Sequence, residues 1–126
     1  MKKNKLSEDQ YYITQQHGTE PPFSGEYLHN KEKGIYKCVC CDSNLFSSNT
    51  KYDSHSGWPS FFDTFSFNAV SSSKDETYGM VRTEVHCTKC KAHLGHVFPD
   101  GPKPTGLRYC INSLALNFSK EEKNES

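Results

Sequence analysis

Two stretches, Cys38-Val39-Cys40-Cys41 and Cys87-Thr88-Lys89-Cys90, decide how this chain is read. Each carries a Cys-x-x-Cys pair, and such a turn brings two sulfurs to one edge of a tetrahedron. Two turns close the coordination sphere of a zinc-like ion with Zn–S near ~2.3 Å, leaving no open position, so the expected metal is structural. Independent zinc ribbons separate their paired turns by ~15–20 residues. Here residues 42–86 lie between the turns, so much of the domain is threaded between the half-sites and the ion pins strands distant in sequence. A pair of thioredoxin-like redox motifs is the rival reading, but those motifs follow a strand in a βαβ pattern that this sequence lacks. His86, beside Cys87, could replace a sulfur ligand, although four cysteines suffice.

The rest of the composition agrees with a stapled fold. A chain of 126 residues suits one domain. Only 33% of its residues are hydrophobic, and thin cores of this kind gain from a metal worth ~10–16 kcal/mol of apparent folding energy. Fifteen basic and fifteen acidic side chains balance to zero net charge. No Lys/Arg cluster tracks a phosphate backbone, which argues against nucleic acid. The polar residues after Leu6 do not read as a signal peptide, and no stretch of the sequence nears the ~20 apolar residues of a membrane span, so neither is expected. Six cysteines without an export signal favour thiols and metal over disulfides, and the expected setting is cytoplasmic.

Outward from the metal turns, short β-like runs carry Gly/Pro punctuation and little helical periodicity. They are Ile35–Cys38, Leu45-Phe46, Met80–His86, Leu94–Phe98, Leu107–Asn112 and Leu114–Phe118. These predict a mainly β, antiparallel domain. Ser7-Glu8-Asp9-Gln10 reads as a capping box opening a short helix that stops at His17-Gly18. Phe23 and Tyr27 are expected to pack against the body, the serine run 71–76 to be a solvated loop, and the end from Lys120 a frayed tail. The expected organisation is an extension over 1–9, one domain over 10–119 and a tail over 120–126.

Two cysteines remain outside the metal set, Cys40 and Cys110. Alternation along the last Gly106–Ser113 stretch puts Arg108, Cys110 and Asn112 on one face, Tyr109 and Ile111 on the other. A guanidinium beside a thiol favours the reactive thiolate, whereas a buried structural cysteine is the commoner fate; spacing alone leaves both readings open. His93 and His96 offer two imidazoles that could donate protons near neutral pH. Trp58, between Gly57 and Pro59, is either core or a flat surface able to hold a methyl or thioether group.

Several of these pieces together resemble one family. Gly18-Thr19-Glu20-Pro21-Pro22-Phe23, Gly57-Trp58-Pro59-Ser60-Phe61, Arg82-Thr83-Glu84, Ala92-His93-Leu94-Gly95-His96-Val97-Phe98 and Arg108-Tyr109-Cys110-Ile111-Asn112-Ser113 look like the B-type methionine sulfoxide reductases, in order and at family-like spacing from about Gln10 to Phe118. The resemblance implies two antiparallel sheets, β-tent-like, with short peripheral helices and one structural zinc on Cys38, Cys41, Cys87 and Cys90. It implies reduction of peptide- or protein-bound methionine-R-sulfoxide, a repair of oxidative damage, with Cys110 as nucleophile passing through a sulfenic acid. Arg108 would stabilise the thiolate; His93, His96 and Asn112 would meet the sulfoxide end; Trp58, helped by Phe98, would line the methyl pocket. Many members carry a resolving cysteine directly before Gly-Trp-Pro, where this chain has Ser56. Recycling then falls either to Cys40 or directly to thioredoxin or another external thiol, with the protein expected to act as a monomer. A zinc-stapled binding module in which Cys110 is structural, and a nucleic-acid-binding zinc ribbon, are the competing classes.

Overall fold

The computed structural model describes residues 5–76, 79 and 81–121. Ser7 caps α1 (Glu8–Gln15), the one α-helix among the described residues, in the expected reciprocal box: its hydroxyl accepts from Gln10 N–H at 3.1 Å and its own N–H donates to Gln10 Oε1 at 2.9 Å. Ile13 and Thr14 are the helix positions that become buried, and α1 packs on strand β7 (His93–Phe98) and on a 3-10 turn over Ser113–Ala115.

Among the described residues nine strands form two antiparallel sheets. Strands β1 (Gly34–Cys38), β2 (Asn44–Ser47) and β9 (Leu116–Lys120) make a three-stranded sheet in the order β2-β1-β9. The six-stranded sheet runs β3-β4-β8-β7-β6-β5, from β3 (Lys51–Tyr52), β4 (Ser60–Phe61), β5 (Val70–Asp75), β6 (Arg82–Cys87), β7 (His93–Phe98) and β8 (Arg108–Ile111). The mainly β expectation therefore holds.

Alternation explains the core. Along β1 the positions alternate between buried and half-buried, which sends Tyr36 inward from the small sheet. It meets Phe61 of the large sheet edge-on at 5.1 Å between ring centroids and Phe118 at 4.8 Å; Phe46 stacks on Phe61 at 4.4 Å. Aromatic pairs at these separations stabilise by ~0.5–1.5 kcal/mol beyond their area, so this cluster holds the two sheets face to face.

Several local expectations change. The serine run is not a loop: residues 70–75 form edge strand β5, paired with β6 from Val70–Cys87 to Asp75–Arg82. A 3-10 turn at Ser113–Ala115 delays the last strand to Leu116, and that strand takes up Lys120, placed in the tail by sequence. Tyr27 does pack, against Tyr36 and Phe118. Phe23 is instead 68% exposed, because its N–H is tied to Gly57 O at 2.7 Å and its φ of 65° turns the chain there. Met80, residues 1–4 of the extension and residues 122–126 of the tail lie outside the described residues.

Strand β7 carries the feature that shapes the site. Val85 pairs with Gly95 but His86 pairs with His93, so Leu94 is an extra residue, a β-bulge. Two strand residues three apart normally face opposite sides; the bulge swings His93 round until its ring centroid lies 5.6 Å from that of His96. One position later the backbone of β8 passes so close that a Cβ on Gly95 would collide with Cys110 O. Only glycine fits there.

Candidate functional site

The two Cys-x-x-Cys segments fold as matching knuckles. In the first, Asp42 N–H donates to Cys38 O at 2.8 Å and Asp42 takes a φ of 62°; in the second, Lys91 N–H donates to Cys87 O at 2.8 Å with a φ of 69°. They face each other with Cys38 Sγ 3.5 Å from Cys90 Sγ and Cys41 Sγ 3.7 Å from Cys87 Sγ, and the four sulfurs lie within 4.8 Å of one another. A tetrahedron with bonds of ~2.3 Å has edges of about 3.8 Å, so the donor set fits a thiophilic ion. Crowding four thiols together splits their acidities. Cys38 is pushed up by its hydrogen bonds with Cys40 and Cys87, while the bond from Cys38 pulls Cys87 down. Cys87 is thus the member drawn toward thiolate, the form that binds metal, whereas burial pushes Cys90 up to about 12. Because Cys38 ends β1 and Cys87 ends β6, an ion here would cross-link the two sheets.

Cys110 lies elsewhere, half-buried on β8. Its sulfur accepts from Arg108 Nη1 at 2.9 Å and lies 3.5 Å from Ser56 Oγ and 3.7 Å from Ser60 Oγ. Arg108 is held from behind. Asp100 takes two hydrogen bonds from it, at 2.8 and 3.1 Å, and the guanidinium carbon sits 4.4 Å over the centre of the Phe98 ring. That two-point bond holds the Asp100 carboxyl below its ordinary range and raises Arg108 further, so a fixed cation points at the sulfur.

A cleft of about 110 Å³ opens over Cys110, walled by Trp58, Phe98, His96, Arg82, Arg108 and Asn112, with Thr19 and Gly95 completing it. Gly57, at a φ of 98° and with Pro22 where a Cβ would go, sets the turn that presents Trp58. The indole N–H donates to Glu20 O at 3.0 Å, leaving the rest of the ring as an apolar wall. His96 pairs across the strands with Cys110, and its Nε2 is 2.9 Å from Asp75 Oδ2, which also takes Arg82 at 3.3 Å.

Of the candidates from sequence, Cys110, Arg108, His96, Trp58, Phe98 and Asn112 converge on one cleft. His93 does not line it. That ring is 1% exposed, lies beside His96, and its Nδ1 is 2.9 Å from Glu84 Oε2; burial lowers its pKa, with Glu84 opposing. Asn112 lines the cleft with both ends of its amide engaged, Oδ1 accepting from Glu20 N–H and Nδ2 donating to Leu94 O, each at 3.0 Å. Cys40 is fully buried with Gln15 Nε2 3.5 Å from its sulfur, and it is absent from the cleft lining.

Sequence reasoning missed Asp75, Asp100 and Glu20, the residues that hold others in place. Glu20 is the most connected: its carbonyl holds Trp58, its N–H holds Asn112, and its Oε1 accepts from Leu114 N–H at 3.0 Å. The only signal for it was its place in the Gly-Thr-Glu-Pro-Pro-Phe run.

Residues 6–120 match the SelR domain model. The chain is also 58% identical over 125 residues to proteins described as peptide methionine sulfoxide reductase MsrB from Escherichia coli O45:K1 strain S88, strain K12/DH10B and O157:H7 strain EC4115. Each alignment covers 99% of this chain and 90% of the relative.

Proposed function

This chain belongs to the SelR-domain family and is an oxidoreductase of the peptide methionine sulfoxide reductase class; from that premise we propose that it reduces the R epimer of methionine sulfoxide in peptides and proteins, with Cys110 as nucleophile. One observation carries the assignment of the site. The only cysteine in the aromatic-walled cleft is the one that receives a guanidinium hydrogen bond, at 2.9 Å.

The methyl group of the substrate packs on the Trp58 face, with Phe98 beside it. The Cys110 thiolate attacks the sulfoxide sulfur while a proton reaches its oxygen, since an unprotonated oxygen is a poor leaving group. His96 is the one imidazole in the cleft lining, and Asp75 orients it as that donor. We assign His93 to the wall behind it and Asn112 to holding that wall, because its amide is committed to backbone. The oxygen transfers to sulfur: methionine leaves and Cys110 becomes a sulfenic acid. An external thiol then attacks this sulfur, water departs, and a second thiol releases Cys110 from the mixed disulfide. Thioredoxin or a small thiol serves here, because Cys40 is buried away from the cleft.

Cys38, Cys41, Cys87 and Cys90 would hold one structural zinc ion. Among the described residues no helix is long and apolar enough to cross a membrane; a cytoplasmic monomer is the setting that fits the proposal.

Both epimers of a methionine sulfoxide peptide, assayed with dithiothreitol on wild type and Cys110→Ser, test the reading. Turnover of the R epimer, lost in the variant, is expected. Turnover that survives in Cys110→Ser would move the nucleophile to another residue, and its absence from the wild type would return the cleft to a binding role.

A further inference from the structure

Behind the cleft, sharing Thr19, Arg82 and His96 with its wall, a second cavity of about 500 Å³ is lined by His17, Glu84 and His93. These three come from separate elements: His17 from the segment after α1, Glu84 from β6 and His93 from β7. One carboxylate oxygen, Glu84 Oε2, lies 2.8 Å from His17 Nδ1 and 2.9 Å from His93 Nδ1. All three atoms fall within 4.8 Å of one another, and the two imidazole centroids are 5.2 Å apart. Of the three, only His93 has a part in the sulfur chemistry proposed above, as the wall behind His96.

We propose that His17, Glu84 and His93 form a second metal site, which takes one borderline divalent transition-metal ion such as zinc. Two imidazoles and a carboxylate are a donor set suited to zinc, copper, nickel or iron, and unlike the four-cysteine cluster it leaves positions open to water. His93 Nε2 is buried with no hydrogen-bond partner, so the ring does all of its polar work through the nitrogen that faces Glu84. His17 supplies the exposed side, with 64% of its side chain accessible. Its φ of 57° and the Gly18 N–H bond to Tyr12 O at 3.1 Å turn the chain so that the ring reaches back over the sheet. A proton shared between the imidazoles and Glu84 would give the same contacts without an ion, and the experiment separates the two.

Full-length protein whose four-cysteine site already holds one equivalent of zinc is dialysed against micromolar free zinc, wild type beside His17→Asn. Asparagine tolerates the left-handed backbone and the position is exposed, so the variant folds. The wild type should take up a second equivalent, and its melting temperature should rise with free zinc, since ligand that binds only the folded state stabilises it. His17→Asn should stay at one equivalent with no such rise. A Cu²⁺ complex of the wild type should show nitrogen hyperfine splitting from two imidazoles. A wild type that stops at one equivalent, or a second equivalent retained by His17→Asn, overturns the site.

Discussion

Ser56 Oγ lies 3.5 Å from Cys110 Sγ, near enough that a sulfur at residue 56 could close on the nucleophile. A serine cannot resolve a sulfenic acid, so the oxidised intermediate waits for a thiol from outside. Replacing Ser56 with cysteine should therefore change the fate of the intermediate. After one equivalent of substrate without reductant, wild type should retain a dimedone-reactive sulfenic acid. Ser56→Cys should instead lose two thiols to an intramolecular disulfide. Dimedone labelling of the variant at the wild-type level would show that the two positions cannot meet.

Arg108 is the cation nearest that sulfur, and Asp100 and Phe98 fix its direction. Its Nη1 donates to Cys110 Sγ at 2.9 Å, and a hydrogen bond to a charged partner contributes ~1.5–3 kcal/mol. Arg108→Met should slow alkylation of Cys110 by iodoacetamide at neutral pH by roughly tenfold. Asp100→Asn should give a smaller loss, because it only loosens the guanidinium. An unchanged alkylation rate in Arg108→Met would remove the guanidinium from the activation of the thiol.

How far the sequence reaches is visible in the same residues. Cys38, Cys41, Cys87 and Cys90 announce their cluster because a Cys-x-x-Cys knuckle is a local turn, and local geometry is written in spacing. The Arg108–Cys110 pairing follows from simple alternation. Strand β5 was hidden because an edge strand needs no apolar face, and no position of Val-Ser-Ser-Ser-Lys-Asp is fully buried; its pairing with β6 alone makes it a strand. Asp75 was lost with it, and so was the partner of His96. The bulge at Leu94 depends on how β6 and β7 register, a long-range fact, so the separate environments of His93 and His96 could not be read from their spacing. Glu20 acts through its backbone carbonyl and N–H, groups every residue has.

The four-cysteine cluster joins the end of β1 to the end of β6, and hence one sheet to the other. Binding worth ~10–16 kcal/mol is comparable with the ~5–15 kcal/mol net stability of a whole domain. Stripping the metal with a chelator should abolish the cooperative melting transition and release one equivalent of zinc from this cluster, detected colorimetrically. Cys90→Ser should reproduce the loss of the transition. An unchanged melt after complete chelation would mean that the aromatic core alone holds the sheets together.

Glu20 gives a pH dependence whose sign can be worked out. Its side chain is buried, with Oε1 on Leu114 N–H and Oε2 without a hydrogen-bond partner. Burial raises its pKa above 4.5, against backbone hydrogen bonds that lower it. The folded state therefore holds this proton more tightly than the unfolded chain does. Its stabilising contribution is complete below about 4.5 and is lost as pH rises through the folded value. Glu20→Gln keeps an acceptor for Leu114 and places an N–H where the unpartnered oxygen was, so it should not lose stability over that interval. Urea midpoints measured from pH 4.5 to 7.5 should separate progressively in favour of the variant, by on the order of 1 kcal/mol at the upper end. Acid release of metal affects both proteins alike and cancels in the difference. Parallel midpoint curves would mean that the buried carboxyl titrates in the folded protein as it does in the unfolded one.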